Sequence, residues 1–178
     1  MKVILALLAI CLIAPCLAEP QTVTTGPYTI SFDLGISNKS YLVNVSTPKT
    51  NESVAGDIST EYQVELQNNT GIARMATFNI TEYQKNQTLP TPDEMGSILK
   101  YALEQLPKIR DVQTNSQIID GVNGSIASGT FDGYGLSLEA YVIMYNPTPR
   151  LSVVLTSTYP WDEGTSQLLN TTHVAKTA

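Results

Sequence analysis

Histidine, cysteine and tryptophan are nearly absent: the 178 residues hold one His, two Cys and one Trp. Both cysteines, Cys11 and Cys16, fall within the first eighteen residues, and the histidine, His173, lies near the C-terminus. A zinc or other transition-metal site needs clustered His and Cys ligands, which this pattern does not supply. A Ser-His-Asp triad would have to use His173, and no G-x-S-x-G elbow accompanies it. Glycines 121, 124, 129, 133 and 135 match neither the dinucleotide nor the phosphate-loop spacing, so no cofactor is expected. Charge is sparse too, at 15% of residues with a net of −6. That balance argues against nucleic acid and anionic membrane surfaces as partners. The one long apolar run, residues 3–13, is shorter than the roughly 20 residues of a membrane span.

That run has its own explanation. Lys2, the apolar stretch and the small residue Ala18 before Glu19 have the order of a secretory signal peptide over residues 1–18. Its removal would take both cysteines and Lys2. The mature chain would then be free of thiols and disulfides, with nine bases against sixteen acids. The expected location is extracellular or in the cell envelope, with no membrane span after cleavage.

Asparagine is abundant instead. Eight of the eleven that follow the signal open an N-x-S/T triplet: Asn38, Asn44, Asn51, Asn68, Asn79, Asn86, Asn123 and Asn170. Asn146 is excluded because Pro147 follows it. Ser and Thr fill 35 of the 160 remaining positions, so chance would give about two or three triplets. The excess points to N-glycosylation of an exported surface. Asn44 with Ser46, and Asn79 with Thr81, fall in strand-like runs. Residues two apart on a strand share a face, so those faces should meet solvent.

Along the chain, residues 19–27 read as a Thr-rich leader and 28–172 as one domain, with a tail at 173–178. Strands are expected at 28–34, 40–46, 61–66 and 72–83, with an exposed loop at 47–57. A helix follows: Thr91 and Glu94 form a capping box and Pro92 takes the first helical position. Met95, Ile98, Leu99, Ala102, Leu103 and Leu106 make its apolar face. Four more strands are expected at 114–119, 122–131, 136–145 and 150–159, joined by turns such as Asp120-Gly121. A closing helix is expected from about residue 160 to 172. The expected fold class is α+β: a largely antiparallel sheet of about seven or eight strands covered by two helices. This element order resembles the PsbP-like fold. A cysteine-free, sequon-dense, mildly acidic exported chain also resembles archaeal cell-surface glycoproteins. Neither resemblance carries functional residues with it.

Candidate chemistry is thin. Carboxylate pairs for hydrolysis are Asp57 with Glu61, Asp93 with Glu94, Asp132 with Glu139, and Asp162 with Glu163. Glu139 stands out because its strand is otherwise apolar, and Arg150 is its expected partner if it is structural. Calcium is the metal that Asp120, Asn123 and Asp132 would suit, though no metal site is expected. Tyr134, Tyr141, Tyr145, Tyr159 and Trp161 could stack on sugars or fill the core. The expected function is a non-enzymatic exported or cell-envelope glycoprotein, a structural or binding module whose partner is an envelope protein or glycan. The rivals are an extracellular carboxylate-dependent hydrolase and a soluble carrier of a small apolar ligand.

Overall fold

Alternation is cleanest in β5 (Ile58–Asn68) and β6 (Arg74–Tyr83). Tyr62, Val64 and Leu66 on one, and Ala76, Phe78 and Ile80 on the other, are buried on a shared face. Gln63, Glu65, Asn79 and Thr81 lie half-exposed on the opposite face. Strand periodicity puts every second side chain on the same side, so this hairpin fixes which face of the sheet becomes core.

The computed structural model describes residues 20–35, 41–70, 74–133, 136–157 and 162–177. The large sheet runs β3 (Tyr41–Val45), β5, β6, β10 (Leu151–Ser157), β9 (Leu136–Thr148), β8 (Val122–Gly133), β7 (Ile109–Ile119), and β4 (Lys49–Glu52) also pairs with β5. All its pairings are antiparallel. A second sheet joins β1 (Gln21–Thr25), β2 (Tyr28–Phe32) and β11 (His173–Lys176). The two helices are α1 (Pro92–Glu104) and α2 (Asp162–Thr171).

This corrects the expected α+β fold of one sheet covered by two helices. The fold is mostly β, with eleven strands in two antiparallel sheets and two short helices among the described residues. The physical reason lies in what covers the large sheet. On the buried face of β5 and β6 the principal cover is the small sheet, with Tyr28, Ile30, Phe32 and Val174 in one core with Phe78, Ile80, Val153, Leu155, Ile143 and Tyr145. Leu168 and Leu169 of α2 complete that core. Helix α1 packs on the other face at the opposite end of the sheet, where Leu99 and Leu103 meet Ala127, Val142 and Met144.

The chain ends also depart from expectation. The Thr-rich leader contains β1, and the C-terminal tail contains β11, each antiparallel to β2. Both satisfy their backbone groups by pairing with a strand that has the core-forming alternation. Residues 49–52, expected in a loop, likewise form β4 although all four are exposed.

Two hairpin turns match their sequence chemistry. Asp120 and Gly121 both have positive φ, 50° and 76°, between the paired residues Ile119 and Val122. That is what a two-residue primed turn requires. Gly26, at φ 55°, turns β1 into β2, and a Cβ there would sit 2.2 Å from the Tyr62 ring.

Candidate functional site: sequons and a proline-lined cleft

Seven of the eight triplet asparagines fall within the described residues; Asn38 lies outside them. Asn44, Asn51, Asn86, Asn123 and Asn170 are exposed, and Asn68 and Asn79 are half-buried. None of the seven is buried. Asn44 pairs with Glu65, Asn51 with Ser59 and Asn79 with Gln63, so all three stand on the face away from the small sheet. Asn79 Oδ1 accepts a hydrogen bond from Gln63 Nε2 at 3.0 Å.

The second element of each triplet behaves differently. Ser46 and Thr81 are half-buried, and Ser53, Thr70 and Thr88 are exposed. Ser125 and Thr172 are buried, at 1% and 4% exposure. Ser125 Oγ donates to the Pro92 carbonyl at 2.5 Å, and Thr172 Oγ1 to the Leu168 carbonyl at 2.6 Å.

A cleft of about 410 Å³ opens at the N-terminal end of α1. One wall is the loop before the helix, with Gln87, Leu89, Pro90 and Pro92. The β9–β10 turn forms another, with Asn146, Pro147, Thr148 and Pro149, and Met95 and Asn123 complete the lining. The walls are tied together: Gln87 N–H donates to the Pro149 carbonyl at 2.9 Å, and Asn146 Nδ2 to the Pro90 carbonyl at 3.2 Å. Asn146 Oδ1 is buried and has no hydrogen-bond partner among the described residues. The helix start is fixed by its cap. Thr91 N–H donates to Glu94 Oε2 at 2.8 Å, and Glu94 N–H donates to Thr91 Oγ1 at 3.4 Å. The bonds that Thr91 donates to Glu94 Oε2, from its N–H and from its hydroxyl at 2.9 Å, hold the Glu94 carboxyl below its usual range.

Among the paired carboxylates, Glu94, Asp132 and Glu139 accept hydrogen bonds within the fold. Glu94 belongs to the capping box, with Asp93 beside it in the first turn. Asp57 sits in the β4–β5 turn, where its N–H donates to Ser53 Oγ at 3.0 Å and its carbonyl accepts from Ser53 N–H. Glu61 is exposed on β5 opposite Lys49. Asp132 accepts from Arg110 Nε at 2.7 Å, and Glu139 accepts from Thr130 Oγ1 at 3.2 Å. Arg150, the expected partner of Glu139, lies past the far end of β9 and donates from Nε to the Tyr83 carbonyl. The backbone of α2 begins at Asp162, and the side chains of Asp162 and Glu163 lie outside the described residues.

The calcium set comes apart. Asn123 and Asp132 stand at opposite ends of β8, separated by nine residues, roughly 30 Å at strand rise. Asp120 is engaged elsewhere: its Oδ1 lies 2.6 Å from His173 Nδ1, and its Oδ2 accepts from Val174 N–H at 2.9 Å. His173, expected on the C-terminal tail, is on a paired strand. No group of three or more His, Cys, Asp or Glu could hold a metal ion among the described residues.

Of the aromatic group, Tyr145 is fully buried and Tyr141 half-buried; Tyr134, Tyr159 and Trp161 lie outside the described residues. Burial, and then the charge of Asp120, push the Tyr145 phenol above the ordinary tyrosine range. The cleft residues Asn146, Gln87 and Met95 were not candidates from sequence. Their only signal was proline in two segments, residues 89–92 and 146–149, of which Pro92 already had a helix-start explanation. No helix among the described residues is long and apolar enough to cross a membrane. No protein-family model and no curated protein matches this chain.

Proposed function

We propose that the protein is an exported glycoprotein of the cell surface or envelope, acting as a structural or binding module rather than an enzyme. The observation that carries the reading is the placement of the triplets: all seven described asparagines reach solvent at least in part. Attached sugar is bulky and soluble, so it needs such positions. Asn44, Asn51 and Asn79 share one polar sheet face, which would carry sugar without disturbing either core. The absence of cysteine after residue 18 fits an archaeal-type envelope, in which stability rests on the hydrophobic core.

Intact mass of the native protein tests the proposal, with peptide mapping to locate the sugar. A mass above that of the polypeptide, with hexose-bearing peptides at several triplets, supports it. A bare polypeptide mass from cells that glycosylate other exported proteins rules it out. Fractionation adds a second arm: recovery in the cytoplasm would contradict export.

A further inference from the structure

Asn123 is the one triplet asparagine that lines the proline-walled cleft. We infer that the first sugar of an Asn123-linked glycan seats in this cleft and is attached before α1 docks on the sheet. The inference rests on the glycoprotein reading and adds a place and an order of events to it.

The cleft suits such an occupant. Its volume of about 410 Å³ lies within the range of sites that hold small molecules, roughly 300–1,000 Å³. No charged side chain lines it, so the occupant is neutral. Proline rings offer C–H surface to the apolar face of a sugar ring, and the buried Met95 side chain borders the cleft. The polar side chains of Gln87 and Thr148 also line it, and the hydroxyls of a sugar can hydrogen-bond to such groups. Asn123 itself is exposed and borders the cleft.

The order of events follows from Ser125. A transferase must reach both the asparagine and the hydroxyl two residues on. In the folded protein the Ser125 hydroxyl is buried against the Pro92 carbonyl at the start of α1. Transfer joins Asn123 Nδ2 to the anomeric carbon of the sugar and breaks that carbon's bond to the oxygen of a lipid-linked phosphate donor, with one amide proton released to solvent. This can happen only while the β8 hairpin is free of the helix. The sugar is then present when the cleft walls close.

Two experiments test the inference on the secreted protein. In the first, methionine methyl groups are isotope-labelled and their NMR signals compared between the native glycoprotein, Asn123→Gln and Asn86→Gln. Met95 should shift in Asn123→Gln several-fold more than Met75, which is buried in the other core, and should stay in place in Asn86→Gln. An unmoved Met95 in Asn123→Gln, with Asn123 shown to be occupied in the parent, overturns the seating. In the second, folded protein made without sugar is offered to a transferase with its lipid-linked donor. Asn86, with Thr88 exposed, should accept sugar while Asn123 accepts it only when the chain is unfolded. Equal modification of Asn123 in the folded state overturns the order. A native Asn123 that is bare while other triplets are occupied defeats this inference and leaves the glycoprotein reading standing. Bare triplets throughout defeat both.

Discussion

Four tyrosines show how strongly this core resists charge. Burial is the first cause raising Tyr28, Tyr41, Tyr62 and Tyr145 above the ordinary value of 10, and Tyr41 is pushed up to about 12. The Asp33 carboxylate adds to the shift at Tyr41, and Glu82 to those at Tyr28 and Tyr62. A group whose folded value exceeds its unfolded one contributes stability that is whole below the unfolded value and is lost as pH rises through the folded value. Stability should therefore be flat with respect to these phenols up to about pH 10 and fall between pH 10 and 12. Phenolate absorbance should show these rings neutral in the native protein above pH 10 and ionising together as it unfolds. Full ionisation near pH 10 with the fold intact would contradict their burial. Gly124 gives a second residue-scale expectation. A Cβ there would lie 2.6 Å from the Met144 carbonyl oxygen and 2.8 Å from the Tyr145 Cβ, both on the neighbouring strand. Gly124→Ala should destabilise by about 1–3 kcal/mol in urea denaturation, since the obstruction includes backbone and cannot rotate away. Gly56→Ala separates this from backbone strain alone, for Gly56 has φ 80° and open space around it.

At the scale of elements, local pattern and distant pairing part company. The strands β2, β5 and β6 and the start of α1 were legible because alternation and capping are local signals. The capping box on Thr91 and Glu94 forms as its spacing implies. The expected apolar face of α1 was too wide: Met95, Leu99 and Leu103 are buried, but Ile98 and Leu106 stand about half exposed. Strands β1, β4 and β11 were illegible for a different reason. Their sequences, QTVTT, KTNE and HVAK, have few apolar residues, and they become strands by pairing with β2 or β5. For β11 that partner lies some 140 residues away in sequence, a distance no local window reads. The same blindness hid Asn146, whose role arises only where the β9–β10 turn meets the loop before α1. The pairing of β11 has a visible fastener in Asp120, which reaches both His173 and Val174. Asp120→Ala removes both contacts and leaves a buried N–H unsatisfied, a loss of about 1–3 kcal/mol. Hydrogen exchange should quicken first at the amides of β11 and its partners on β2, while those of β6 and β10 keep their protection. Uniform acceleration across both sheets would mean that β11 does not open as a separate unit.

At the scale of the molecule, the decisive feature is that the large sheet is open at both edges among the described residues. One edge is β7, and the other is shared by β3 and β4. Exposed strand edges are templates for pairing with another chain, and folded proteins commonly guard them with charge, proline or irregularity. On β7 the ladder is interrupted between Arg110 and Gln113, where Asp111 takes a φ of 56°. Arg110 there pairs with Asp111 and Asp132. The β3–β4 edge has Pro48 between its two pieces and Lys49 and Glu52 on β4, and it also carries Asn44 and Asn51. Under the glycoprotein proposal, sugar at these two positions makes edge-to-edge approach sterically impossible, while leaving the backbone of each strand paired to β5. The double variant Asn44→Gln, Asn51→Gln should then keep its unfolding midpoint, since both side chains are exposed and neither lies in a core. Its self-association should rise with concentration, seen as light scattering or faster sedimentation. Asn170→Gln, which removes a triplet on α2 far in sequence from either edge, should leave association as in the parent. If both variants stay equally monomeric, the charges and Pro48 alone suffice to guard that edge. If both associate equally, sugar acts through overall solubility and not through where the fold places it.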